Sequence, residues 1–486
     1  MKWFVYTRGT IPLHRIAPAL ASINECSTKL NDILFDKLLY INEKDKLWFA
    51  WDKEQITEVG RKILEKIKTK EGKKTHFNKI KIFFDKAIKS SERIRKLNLK
   101  EFDNEEIIKL YKEHYDNCKE AHGLMDVNID AIDIYPVEYL KEKIKKSLPK
   151  NIGSQEFIKI YTKLTTPTYK TYVKREEIEL LKIASKIRKQ NLSFERIKPD
   201  LKRVIDKFWW TSLGFESIDP KFEEDFLKAL KEYLRDIKDP DDYLKKSEKE
   251  FAEIKKQRDK LIENYNLSKE IQDLIKLFDD YALFHDLRKE MQVRTGYSFQ
   301  LLMYETARRL RLDKKDLEWY WPDEVCDLLK NKKFNKKEAD KRIRAVCVLA
   351  SEGTLKTYSG DEAVKIRKQQ LEEEVRSTAE IIGTSASPGK VIANVKVCNG
   401  AEDALRKIQK GDVLVCGMTL PDYVPAMKKA AAIITDEGGI TCHAAIISRE
   451  FNIPCITGTR IATKVLKDGD LIEIDADNGI IKKLEK

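Results

Sequence analysis

In the stretch Thr435-Asp436-Glu437-Gly438-Gly439-Ile440-Thr441-Cys442-His443-Ala444-Ala445-Ile446-Ile447-Ser448-Arg449-Glu450, a strand end, a glycine pair and a helix start follow one another directly. The apolar run Ala431 to Ile434 predicts a buried strand that ends at Thr435. Gly438 and Gly439 are free to take backbone angles that other residues avoid. Thr441 is a good N-cap for a helix running to Phe451. Ala444 stands where a capping box would need an acidic residue, so that motif is incomplete.

This order has a chemical consequence. His443 falls in the first helical turn, beside unpaired backbone N–H groups and the positive end of the helix dipole. That field disfavours imidazolium and keeps the ring neutral and nucleophilic near pH 7. The same N–H groups, with those of Gly438 and Gly439, can hold the oxygens of a phosphoryl group on the ring. The plainer alternative is a histidine that only caps or packs at a helix start. Cys442 reads as a small packing residue. Arg449, nearly two turns along and off the face of His443, reads as a structural ion-pair partner.

The pattern Thr-x-x-Gly-Gly-x-Thr-Cys-His-Ala-Ala-Ile-Ile-x-Arg-Glu resembles the phosphohistidine signature of the PEP-utilising enzymes, particularly phosphoenolpyruvate synthase and pyruvate phosphate dikinase. Its neighbours follow in order. Gly383-Thr384-Ser385-Ala386-Ser387-Pro388-Gly389-Lys390 resembles the entry loop. Gly411 to Val415 and Met418 to Asp422 resemble the strand and loop before the signature, and Asn452 to Thr459 the strand after it. Ala393 departs from the glycine often found after the entry loop. The resemblance covers roughly 381–486. It implies a swivelling β/β/α module whose histidine is phosphorylated in one active site and discharged in another. On that basis His443 is the phosphoryl carrier, with Thr435, Gly438, Gly439 and Thr441 as phosphate contacts; Thr435 could equally be structural.

Outward from this segment the chain divides. Residues 381–486 hold short β-rich runs, among them Val391 to Cys398, Val413 to Cys416, Cys455 to Thr457 and Leu471 to Asp475, separated by turn signals such as Asp477-Asn478-Gly479. They carry 14 Lys+Arg against 13 Asp+Glu, so nearly all of the chain's net charge of +13 belongs to the residues before them. Those residues read as amphipathic helices with no alternating strand pattern. Lys221 to Ile237, for example, repeats Phe222, Phe226, Leu230 and Tyr233 at helical spacing. The expected architecture is multidomain: a large all-α N-terminal body over 1–360, a helical linker over 361–380, and the β/β/α domain over 381–486.

The resemblance further implies Mg²⁺ and ATP or phosphoenolpyruvate. The body lacks the Gly-rich, strand-rich text of an ATP-grasp domain, and no barrel follows Lys486. A separate nucleotide-binding subunit is therefore the expected partner, and a small-molecule acceptor the expected occupant of the body. The layout is similar to the C-terminal part of rifampin phosphotransferase, where a helical acceptor-binding domain precedes the histidine domain. Tyr281, His285 and Arg288 share one helix face. His285 and Arg288 are candidate acceptor-binding residues, against the plainer alternative of an interhelical polar face. Trp209-Trp210 reads as core, and His14, His76, His114 and His122 show no partner pattern.

Composition bounds the rest. The chain has 486 residues, 42% hydrophobic and 36% charged, enough to build a core in several domains and incompatible with a disordered chain. No run is long and apolar enough for a membrane span, and the N-terminus is not a signal peptide. Eight cysteines without paired spacing suit a reduced, cytoplasmic protein. Two alternatives to a phosphotransferase remain at this point: a regulatory or scaffolding relative with an idle mobile domain, and nucleic-acid binding through the basic body.

Overall fold

The computed structural model describes residues 3–8, 11–25, 37–44, 46–213, 220–351, 354–371, 380–419, 423–439, 442–459 and 461–484. Long helices dominate the part before residue 345, and three of them frame its centre: α1 (Leu13–Glu25), α2 (Asn104–Ile134) and α3 (Lys269–Leu310). Helix α2 starts at a full capping box. Asp103 accepts from the Glu106 N–H at 2.8 Å, and Glu106 accepts from the Asp103 N–H at 2.8 Å. Its C-terminal half, from Ala121 to Ile132, is buried on every side. Helix α3 is capped by Ser268 and ends at Arg311, which takes the left-handed conformation at φ 56°. Trp209 and Trp210 are buried, as a core role requires.

The body is helical but not all-α. Strands β1 (Trp3–Arg8), β2 (Leu38–Glu43), β3 (Lys46–Asp52), β4 (Ala345–Ser351) and β5 (Thr354–Ser359) form an antiparallel sheet in the order β1-β3-β2-β4-β5. Register pairs such as Leu38 with Ala350 and Ile41 with Cys347 join the two ends of the body across all its long helices. The sequence hid this sheet for a physical reason. One face, with Tyr40, Leu47 and Trp51, packs on the helices. The other, with Leu39, Ile41, Ala50 and Cys347, is covered by helix α4 (Gly360–Leu371) through Ala363. Strands buried on both faces are apolar in runs and do not alternate. Their hairpin turn also lacks a glycine cue, since Lys44 itself takes φ 53°. The segment read as a linker thus begins as a helix packed on this sheet; 372–379 lie outside the described residues.

The C-terminal part is built on an eight-stranded sheet in the order β6-β13-β12-β8-β9-β10-β11-β7. The strands are β6 (Glu380–Ile382), β7 (Thr384–Ser387), β8 (Lys390–Cys398), β9 (Val413–Cys416), β10 (Ala432–Thr435), β11 (Cys455–Thr457), β12 (Leu471–Asp475) and β13 (Ile480–Lys483). Strands β8 to β11 run parallel, and the outer pairings are antiparallel. Leu414, Cys416, Ile433 and Cys455 face one layer with Ala444 and Ala445 of helix α5 (His443–Glu450). Val413, Val415, Ile434 and Ile456 face the other with Ile472, Ile474 and Ile481. The parallel strands are therefore covered on both sides, and their carboxyl ends deliver the loop that leads into α5. Among the described residues no helix is long and apolar enough to cross a membrane.

Candidate active site

The loop between β10 and α5 is pinned at both ends. The Asp436 N–H donates to the Cys416 carbonyl at 3.1 Å and the Glu437 N–H to the Gly417 carbonyl at 2.9 Å, extending the β9–β10 pairing past the strands. Thr435 is fully buried, and its hydroxyl donates to the Glu437 carbonyl at 2.7 Å. Its own carbonyl accepts from the Thr459 N–H at 3.1 Å and the Thr459 hydroxyl at 3.1 Å. Asp436 fastens the loop to the start of helix α6 (Ala462–Val465), accepting from the Thr463 N–H at 3.2 Å, the Thr463 hydroxyl and the Thr459 hydroxyl at 3.0 Å. Asp436, Thr459 and Thr463 were not among the residues the sequence singled out. Asp436 lies inside the quoted stretch, but its role depends on a threonine 27 positions downstream.

Gly438 takes φ +103°, and a Cβ there would lie 2.7 Å from Cys442 Sγ. Only glycine fits this turn. The N–H groups of Gly438 and Gly439 make no hydrogen bond to another described residue. Cys442, not Thr441, is the N-cap residue of α5, and His443 is the first helical residue. Thr441 and the His443 side chain lie outside the described residues. The Cys442 thiol is pushed above its usual pKa by burial, against the pull of the Ala445 and Ala444 N–H groups that face it. Cys442 makes no side-chain capping hydrogen bond, and burial keeps it a thiol rather than a reactive thiolate. Arg449 Nη1 donates to Thr162 Oγ1 of the body at 3.0 Å, a bond between the two halves of the chain.

The two remaining candidates, His285 and Arg288, line a cavity of about 290 Å³ in the body, enclosed by α1, α2, α3 and β3. Its apolar wall includes Ile16, Leu47, Phe49 and Trp51. Its polar wall is drawn from two facing helices, with Asp126, Asp130 and Asp133 on α2 and His285, Arg288 and Gln292 on α3. Asp130 accepts from Trp51 Nε1 at 2.9 Å and Arg288 Nη1 at 2.6 Å. Burial raises its pKa, and Arg288 opposes that shift. Asp126 accepts from Gln292 at 2.8 Å and faces His122 Nδ1 at 2.8 Å. His285 Nε2 lies 3.4 Å from Asp133 Oδ2, and the Tyr281 ring packs edge-on against the imidazole at 4.7 Å. His122 thus has a partner pattern after all. His122, Asp126, Asp130 and Asp133 follow each other at helical spacing, a signal present in the sequence and passed over there.

Residues 408–479 match the PEP-utilising enzyme mobile domain. The matched segment holds β9, β10, the glycine loop and His443, so the recognition made from the signature is shown for this part of the chain. Curated relatives agree. The chain is 51% identical over 122 residues to the probable phosphoenolpyruvate synthase of Archaeoglobus fulgidus, covering 24% of this chain and 16% of that protein. It is 52% identical over 112 residues to the phosphoenolpyruvate synthase of Aeropyrum pernix, covering 23% of this chain and 14% of that one. A longer likeness, 32% identity over 253 residues, joins it to the uncharacterized phosphotransferase YvkC of Bacillus subtilis, covering 48% of this chain and 30% of YvkC. Such a length exceeds the mobile domain and takes in part of the body. The chain spans less than a third of the length of each of these relatives.

Among the described residues no group of three or more His, Cys, Asp and Glu side chains is disposed to hold a metal ion.

Proposed function

We propose that this chain is a phosphotransferase, or a component of one, in which His443 carries a phosphoryl group to an acceptor held by the helical body. The observation that carries the reading is the mobile-domain match over 408–479, which contains the full Thr-Cys-His signature, with His443 placed at the first residue of α5. A neutral imidazole at a helix start attacks phosphorus with its ring lone pair. The anionic product is then held by the amides of Gly438 and Gly439, with Thr441 completing the cradle. Phosphoryl transfer demands positioning and charge neutralisation more than covalent chemistry, so this small set of groups suffices on the carrier side.

The donor is ATP or phosphoenolpyruvate, and Mg²⁺ arrives with it. Donor binding falls to a nucleotide-binding partner chain, and the mobile domain swivels between that site and the body. The hydrogen bond of Arg449 to Thr162 supports a position docked on the body. Incubating the full chain with radiolabelled ATP or phosphoenolpyruvate, with and without a co-purified nucleotide-binding chain, tests this. An acid-labile, alkali-stable label on His443 supports the assignment. A chain left unlabelled by both donors in the presence of that partner overturns it.

A further inference from the structure

The cavity between α1, α2, α3 and β3 combines features that the carrier reading alone does not require. We infer that it is the acceptor site, that it takes an uncharged hydroxyl compound with a flat apolar body, and that His285, oriented by Asp133, removes the hydroxyl proton. This rests on the proposal that His443 carries the phosphoryl group, and it adds the acceptor's class and a catalytic base.

The walls define the acceptor. Phe49 and Ile16, backed by buried Trp51 and Leu47, offer an aromatic and aliphatic face to a flat apolar body. About 290 Å³ is the scale of an organic ligand rather than of a few waters. On the polar side Asp126, Asp130 and Asp133 outnumber Arg15 and Arg288 among the lining charges. A carboxylate acceptor such as a keto acid would meet net negative charge and is disfavoured. A neutral hydroxyl is not.

The proton's destination follows from the mouth of the cavity. His285 and Asp133 have side chains 37% and 40% exposed, unlike buried Asp130 and Asp126, so they stand at the solvent-facing mouth of the cavity. Asp133 Oδ2 lies 3.4 Å from Nε2, and we assign the ring proton to that nitrogen and the role of base to Nδ1. One turn on, Arg288 gives Nη1 to Asp130 and makes no other hydrogen bond to a described residue, so its remaining N–H groups can meet a phosphoryl oxygen. In the transfer the acceptor O–H bond breaks as its oxygen bonds to phosphorus, and the proton passes to Nδ1 of His285. The P–N bond to His443 breaks, and the imidazole keeps that electron pair. The His443 ring takes up one proton from solvent and His285 returns one, so the products are a phosphate monoester and two neutral histidines.

The full chain tests this with 2-naphthol as probe and 2-naphthoate as its anionic counterpart. Calorimetry on the unloaded chain reads binding. Chain loaded with potassium phosphoramidate, followed by phosphorus NMR, reads discharge to naphthol. Binding of naphthol at least ~10-fold tighter than naphthoate is expected, with Phe49→Ala weakening it. His285→Ala is expected to slow discharge by ~100-fold with little change in KM, and added imidazole to restore part of the rate. Asp133→Asn should slow discharge while keeping the fold. Equal binding of naphthoate, no binding of naphthol, or a discharge rate unchanged in His285→Ala overturns the inference. If naphthol binds but His443 never loads, the carrier reading fails instead and the cavity stands as a ligand site.

Discussion

The backbone N–H of Cys442 donates to the carbonyl of Gly439 across 3.1 Å, turning the chain back on itself immediately before His443. Gly438 makes that turn possible, because at φ +103° its missing Cβ would lie 2.7 Å from Cys442 Sγ. Gly438→Ala is therefore expected to destabilise the C-terminal domain by about 1–3 kcal/mol and to slow phosphorylation of His443. Gly439→Ala, whose Cβ would meet nothing within 4 Å, should leave stability unchanged. Hydrogen exchange at β9 and β10 compares the two variants, and equal effects would remove the argument for this turn.

Asp436 ties the loop to α6 by accepting from Thr459 and from both donors of Thr463. Asp436→Ala leaves those donors without their acceptor and is expected to cost about 1–3 kcal/mol, with faster exchange of the loop amides. Thr459→Val should cost less, since Asp436 keeps its bonds to Thr463. The same exchange measurement checks the order of the two.

The Asp130 carboxylate is buried between Trp51 and Arg288. Removing the cation with Arg288→Met strands that charge, which typically costs about 3–5 kcal/mol. Asp130→Asn in the same chain should recover part of the loss. All seven tryptophans precede residue 381, so their fluorescence during urea unfolding follows the body alone. A double variant no more stable than Arg288→Met would show that the pair is not coupled.

Two fully buried histidines set an acid limit on the body. His14 donates from Nδ1 to the Tyr320 carbonyl at 3.2 Å and faces the Tyr111 hydroxyl at 3.1 Å through Nε2. Burial lowers its pKa from 6.5 to about 4, and that of His114 to about 3. The unfolded chain therefore binds these protons first. Stability is full above pH 6.5 and falls as the pH drops from there through about 4 for His14 and about 3 for His114, each histidine losing about 1.4 kcal/mol for every pH unit crossed in its window. Tryptophan-monitored urea midpoints should decline across that window, and a midpoint flat from pH 7 to 4.5 would contradict neutral burial.

How much was legible depended on which residues face what. Strands β9, β11 and β12 were read to the residue because turn signals bracket short apolar runs. The body's sheet was missed because Leu38 to Ile41 and Ala345 to Val348 are buried on both faces, leaving no alternation to detect. The Thr-Cys-His signature located the glycine loop and the helix start, but the N-cap fell one residue later than expected, on Cys442. Of the cavity, the sequence offered His285 and Arg288 from one helix face. The facing carboxylates come from a helix more than 150 positions away in the chain, and only the tertiary pairing brings them together.

The central claim is that His443 is the phosphoryl carrier, and site-resolved loading tests it most directly. Treating the full chain with potassium phosphoramidate and mapping the modified peptides by mass spectrometry over time compares all six histidines in one experiment. A phosphoryl group arriving first at His443, ahead of half-exposed His285, and absent from that peptide in His443→Gln, is the result this account predicts. Modification spread evenly over the exposed histidines, with His443 no faster than the rest, would contradict it.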